Sequence, residues 1–356
     1  MNTIKKVLNH IFIDGLSGMA LGLFATLIIG TIFSQLGTTL SFTRIGNLLF
    51  VVGKIASLLT GAGIGCAVAC KFKSSPLVVV SAAVCGLVGA YASQILAGGI
   101  VDGNSFSIKA PGEPLGAFIG AYIGMLAGNL VSGKTKLDII LTPVVAIITG
   151  SAIGLLIGPP ISSFMRELGA LIEWATNQHP FIMGIVISVL MGMFLTLPIS
   201  SAAIGVSLGL SGIAAGAATV GCCANMIGFA VASYRENKFG GLIAQGVGTS
   251  MIQMPNIVRR PLIWVPAIIS SAILGPVSTM VCQMTNNPVG SGMGTAGLVG
   301  PIMSFQTMSQ TMSPGIALGL NIVMYFVLPA IISLVVSEGM RKCKLISFGD
   351  MSLKQL

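Results

Sequence analysis

Apolar runs close to twenty residues long recur from one end of this 356-residue chain to the other, and few of them contain a charge. A helix needs about 20 apolar residues to cross a hydrocarbon core of ~30 Å. In lipid every backbone N–H and C=O must be paired inside the segment, so helices are the spanning structure these runs can form. The chain therefore reads as an all-α polytopic membrane protein. Composition agrees: charged residues are 8%, hydrophobic residues 54%, and the mean hydropathy is +0.96, outside the range of soluble domains. The net charge of +9 does not point to nucleic acid. The basic residues sit mostly at the ends of apolar runs, as membrane orientation requires, which makes lipid the expected surrounding. No polar stretch is long enough to build a soluble domain, and Lys5 and Lys6 precede a run with no small-residue cleavage site, read as a retained first span.

About ten transmembrane helices are expected. The first five cover 11–33, 46–70, 76–98, 114–131 and 137–158. The stretch 161–178 differs: Met165, Leu168, Leu171, Ile172 and Ala175 fall at helical spacing with Arg166, Glu167 and Glu173 between them, the pattern of an amphipathic surface helix. Further spans follow at 180–198, 210–233, 240–261, 262–284 and 314–336. FIDG at 12–15 recurs as FIMG at 181–184, GLFATL at 22–27 as GMFLTL at 192–197, and IGCAVACK at 64–71 as IGFAVASY at 227–234. Similar pieces in the same order are the mark of an internal repeat. An odd number of spans per copy would invert the second copy in the membrane. The domain reading is a first five-helix repeat at 1–160, the surface helix at 161–179, a second repeat at 180–345 and a cytoplasmic tail at 346–356. Basic flanks place both termini in the cytoplasm. This arrangement puts Arg235 and Lys238 outside. A rival arrangement makes 199–233 a short hairpin and 240–256 re-entrant, and keeps every basic cluster inside.

The 240–261 segment is the candidate site. It is rich in glycine, contains Pro255 and Pro261, and carries Gln245, Thr249, Ser250, Gln253 and Asn256. Such a sequence makes a poor lipid-facing helix, and irregular backbone at membrane depth is tolerated where protein covers it or where it lines a wet cavity. Transporters hold solutes on discontinuous helices of this kind. A second glycine-rich, uncharged stretch, NNPVGSGMGTAGLVGP at 286–301, followed by Gln306 and Gln310, reads as another re-entrant segment. Gln245, Thr249, Gln253, Asn256, Thr295 and Gln306 are the expected contacts to solute hydroxyls, because amides and hydroxyls both donate and accept. Asp14, Lys54 and Glu113 form a possible charged site. Lys54 lies inside a span and Glu113 starts another from the same face, although snorkelling of Lys54 and the helix dipole at Asp14 and Glu113 explain them equally. The small-residue ridges Gly116, Gly120, Gly124, Gly128 and Gly150, Gly154, Gly158 are packing surfaces. Seven cysteines without a CxxC pair, and His10 and His179 outside the spans, suggest no metal or redox site. Neither a catalytic constellation nor a cofactor fingerprint occurs.

GTSMIQMPNIVRRPLIWVPAIISSAILGP at 248–276, GSGMGTAGLVGP at 290–301 and the leading FIDGLSGMALGLFATLIIGTI resemble the PTS EIIC-type membrane proteins of the PfoR-like (perfringolysin O regulator-like) group. The resemblance implies a bacterial inner-membrane protein similar to the sugar-translocating EIIC subunit of the phosphoenolpyruvate-dependent phosphotransferase system. It implies a homodimer that hands its sugar to a separate cytoplasmic EIIB protein, since this chain carries no phosphoryl-carrier residue and phosphotransfer would need that partner. The GITE-type motif of sugar-specific members does not occur here. The expected function is transport of a small polar solute, sugar-like by resemblance. The alternatives are a membrane sensor or regulator with an EIIC-like fold, and a transporter of a small organic anion uncoupled from phosphorylation.

Overall fold

A computed structural model describes residues 10–99, 101–102, 105–106 and 112–353. They are almost wholly helical, the exception being a two-residue antiparallel ladder that pairs Val101 with Phe106 and Asp102 with Ser105. Among the described residues, six helices are long and apolar enough to cross a membrane: Leu16–Thr38, Pro114–Val131, Asp138–Thr176, Gly212–Ala232, Pro261–Val281 and Pro314–Lys342. The bent pair Arg44–Leu58 and Thr60–Lys71 is together long and apolar enough for a broken span or a re-entrant loop, and Pro76–Ala90 and Pro180–Thr196 are shorter apolar helices. Large apolar side chains such as Leu137, Ile139, Ile140 and Leu156 remain exposed, the condition lipid contact satisfies. The chain divides into two compact units, Met1–Phe164 and Met165–Gln355.

In the first unit the helices are drawn together by small residues. An added Cβ on Gly116 would lie 2.4 Å from the Gly89 carbonyl oxygen, and one on Gly89 would lie 2.3 Å from that of Gly116. The Gly116–Gly128 ridge is therefore a backbone-to-backbone seam, which any larger side chain would force apart. The Arg44–Leu58 and Thr60–Lys71 pair bends by 58° at Leu59. Carbonyls freed at the break are taken by neighbours: Thr60 Oγ1 donates to Ser57 O at 2.6 Å, and the Tyr91 hydroxyl to Leu58 O at 3.1 Å. A bend inside apolar surroundings is tolerated because its polar backbone has been re-paired.

The stretch expected as a separate surface helix is continuous with the span before it. One helix runs Asp138–Thr176 across Pro143, Pro159 and Pro160. Its final turns keep part of the amphipathic pattern, with Ile172 and Ala175 buried and Glu167 and Glu173 exposed, but Leu171 of the expected apolar face is exposed.

The second unit is built on the Gly212–Ala232 helix, against which Pro180–Thr196, Val265–Pro276 and Leu328–Lys342 all pack. Glycines again permit the approach: a Cβ on Gly221 would lie 1.8 Å from Ser188 O. Here the chain is also broken. Residues 240–261 are not a continuous span. A helix Tyr234–Ile243 kinks at Lys238 (φ 51°) and a π-helical turn follows at Ala244–Gly248. Thr249 is extended, a 3-10 turn covers Ser250–Gln253, and Met254–Arg259 is a short helix.

Both ends of this segment meet the same stretch of chain. Asn237 donates to Met351 O at 2.8 Å, and Arg260 pairs with Asp350 at 3.8 Å. Arg235 pairs with Glu338 at 2.7 Å and Arg341 with Glu236 at 2.8 Å. The segment thus returns to the end of the unit from which it set out, and Arg235 and Lys238 share that end with Arg259, Arg260 and Arg341. This corrects the arrangement in which 240–261 crosses and Arg235 lies opposite Arg341. Within this unit the basic residues named gather at one end, as charge placement favours, while the continuous Gly212–Ala232 helix corrects the rival arrangement's short hairpin at 199–233.

Candidate functional site

A second hairpin enters the same unit from its other end. An isolated bridge joins Gly212 to Asn286, fixing the start of the hairpin beside the start of the central helix. The chain then runs inward through Pro288–Ser291, turns at Ala296–Leu298 and returns in Val299–Met308. The turn uses left-handed backbone at Gly294 (φ 52°), Gly297 (φ 54°) and Leu298 (φ 60°). Leucine there costs about 1–2 kcal/mol relative to glycine, so the surrounding packing must hold it. Thr295 is fully buried, its hydroxyl 3.5 Å from Met226 Sδ. Met226 lies 14 residues along the Gly212–Ala232 helix, ~21 Å from its start at 1.5 Å per residue. The tip Ala296–Leu298 packs on Ala244–Gly248. Two irregular hairpins, one from each end, therefore meet beside one helix.

Three of the expected solute contacts form a single chain of amides on the 240–261 hairpin. Gln253 Nε2 donates to Gln245 Oε1 at 2.8 Å, and Asn256 Nδ2 donates to Gln253 Oε1 at 2.8 Å. Gln245 Nε2 reaches Ser233 Oγ at 2.8 Å and Gly241 O at 2.9 Å. Gln245 and Gln253 are fully buried and Asn256 nearly so. An unpaired buried amide costs about 1–3 kcal/mol, so this linkage is what makes the broken segment tenable. The remaining donors go to the segment that follows the last helix: Gln253 Nε2 to Met351 O at 2.9 Å and Asn256 Nδ2 to Ser352 O at 3.0 Å.

Thr249 is buried on the same hairpin but spends its hydroxyl accepting from Met251 N at 3.1 Å, capping the 3-10 turn. Thr295 belongs to the facing tip. Gln306 does not join them. In the Val299–Met308 helix Pro301, Ser304 and Met308 form the buried face, and residue 306 points away from it and is exposed. The three candidate charged residues belong to the first unit. Asp14 is half-buried in the His10–Gly15 turn, near enough to Tyr122 for its charge to be felt. Lys54 is exposed, its ammonium 5.4 Å from the Phe50 ring centre. Glu113 caps Pro114–Val131, its N–H bound to Ala90 O at 2.8 Å.

Sequence reasoning missed a second buried network beside the hairpin. Asn225 Oδ1 accepts from Trp264 Nε1 at 2.8 Å and from Thr196 Oγ1 at 3.3 Å, while its Nδ2 donates to Ser271 Oγ at 3.1 Å. Thr196 also bonds Ser250 Oγ at 2.8 Å, which ties the hairpin to the Pro180–Thr196 helix. A lone Asn in a helix otherwise made of small apolar residues was the available signal. The Glu236–Arg341 pair, with side chains 1% and 9% exposed, stands at the rim of the hairpin. Among the described residues no three His, Cys, Asp or Glu side chains group as metal ligands. The polar groups of the cluster are neutral, and the amide donors of Gln245, Gln253 and Asn256 are all engaged within the chain.

Comparison with known proteins gives one match of consequence. The family described as Phosphotransferase system, EIIC, matches residues 13–353, nearly the whole chain and all of both hairpins. No curated protein and no solved structure matches it. The chain belongs to the phosphotransferase-system EIIC family.

Proposed function

We propose that this chain carries a small neutral polyhydroxylated solute, a sugar, across the bacterial inner membrane as an EIIC subunit of the PfoR-like group, with the paired hairpins as its site. The observation that carries the reading is the buried amide chain Gln245–Gln253–Asn256 on a broken segment whose neighbour is the tip of a second broken segment. Amides of this kind exchange hydrogen bonds with hydroxyl groups at little cost, because each partner both donates and accepts. Movement of one hairpin against the other would open the cluster to one side and then the other. The end bearing Arg235, Lys238, Arg259, Arg260, Arg341 and Lys342 is assigned to the cytoplasm by its charge. A cytoplasmic EIIB protein would receive the sugar there and supply the phosphoryl carrier, and the subunit would work as a homodimer.

Purified protein in liposomes, offered labelled sugars and organic anions with and without EIIB, tests the function. Uptake of a neutral sugar that is lost in Gln253→Leu is expected. Failure of every solute to bind or cross would overturn the transport reading in favour of a membrane regulator, and uptake of anions alone would overturn the neutral site.

A further inference from the structure

We propose that the segment 344–353 is a latch: an internal occupant of the amide cluster that must leave before a solute can be held there. This rests on the reading of Gln253 and Asn256 as solute contacts. The segment meets the hairpin through peptide groups. Met351 O accepts from both Asn237 Nδ2 at 2.8 Å and Gln253 Nε2 at 2.9 Å. Ser352 O accepts from Asn256 Nδ2 at 3.0 Å, and Leu353 N donates to Asn237 Oδ1 at 2.8 Å. Two adjacent carbonyl oxygens thus fill the acceptor positions that hydroxyl oxygens of a sugar would take. A strap of ten residues also joins the start of the hairpin, at Asn237, to its end, at Asn256 and Arg260.

Its construction favours release. Two side chains, Ile346 and Met351, anchor it among Phe229, Ile257, Ile263 and Trp264. Between them Phe348 stands 76% exposed, and Gly349 takes φ 97°, so no regular structure adds to the hold. Two further ties, Asp350 to Arg260 at 3.8 Å and Gly349 N to Glu236 Oε1 at 3.3 Å, lie at the rim. Short irregular segments with few buried anchors open locally at a fraction of the cost of global unfolding. Each hydrogen bond it gives up can be replaced by water or solute.

The test reads accessibility, with no need to know the solute. In a Cys343→Ser background, Gln253→Cys is labelled with a maleimide under native conditions, alone and combined with Asn237→Ala or with Met351→Ser. Labelling faster than global unfolding, rising about tenfold or more with either release variant, is expected, because Asn237→Ala removes two neutral hydrogen bonds and Met351→Ser one apolar anchor from the closed form. Labelling only at the rate of global unfolding, the same in all three proteins, overturns the latch and makes the segment a fixed part of the fold. A melting curve for each variant separates release from misfolding, and hydrogen exchange at the Leu353 amide reports the same opening without any substitution. Sugar uptake by the release variants is the separate arm. Faster labelling with no uptake of any sugar leaves the latch standing and overturns the transport reading.

Discussion

The two hairpins of the second unit reach the same place by different means. The 286–308 hairpin is closed upon its own surroundings. Asn286 Nδ2 holds Thr219 Oγ1 at 2.8 Å and Gly300 O at 3.0 Å, Asn321 Nδ2 holds Pro301 O at 2.9 Å, and Tyr325 bonds Ser304 at 2.7 Å. Every partner sits on the hairpin itself or on a helix packed beside it. The 240–261 hairpin instead gives amide bonds from Gln253 and Asn256 to backbone carbonyls of a segment nearly 100 residues further along the chain, and Asn237, just before the hairpin, gives a third. Bonds to a helix can be broken only by moving the helix, whereas bonds to a strap can be broken by moving the strap. The difference assigns the fixed wall of the site to one hairpin and the exchangeable wall to the other.

The largest effect should come from removing the charge at the rim of the exchangeable side. Arg341→Met leaves Glu236 buried without its partner, which costs about 3–5 kcal/mol, while adding Glu236→Gln should restore most of the loss. Thermal unfolding in detergent measures both. If the single variant melts like the parent, the pair is not what ties this end together.

Asn286→Leu strips the fixed hairpin of three bonds, to Thr219 Oγ1, Gly300 O and Asn287 N, an expected loss of about 1–3 kcal/mol. The same melting experiment should show the whole second unit weakened. By contrast, Asn256→Ala, which takes the partner from the buried Gln253 Oε1, should cost about 1–3 kcal/mol, with hydrogen exchange quickening in 240–261 and not in 286–308. Equal quickening in both would erase the distinction between the hairpins. The smallest effect is expected for Gln306→Ala, whose side chain is exposed on the outer face of its helix. Neither melting nor uptake should change, and a loss of uptake would move the site outward.

Much of this was legible in the residues. Membrane-grade runs dictated helices, and clusters of glycine, proline and amide marked both broken segments because such sequence cannot face lipid as a continuous helix. Arg235 and Lys238 already objected to a crossing at 240–261, since charge placement is a more direct constraint than the parity of a weak repeat. What could not be read was the strap. Its contacts are carbonyl oxygens of Met351 and Ser352, which every residue has, so no side-chain pattern announces them. Likewise Gln306 looked like its neighbours in composition, and only the helical phase set by Pro301, Ser304 and Met308 turned it away.

The central claim is that 240–261 turns back within the unit instead of crossing it. Single cysteines at Lys238→Cys and Arg260→Cys, labelled with a membrane-impermeant maleimide on intact cells and on inverted vesicles, test this most directly. Both should react from the same side, the one that also labels Cys343. Reaction of the two positions from opposite sides would contradict the fold described above and return the segment to a transmembrane crossing.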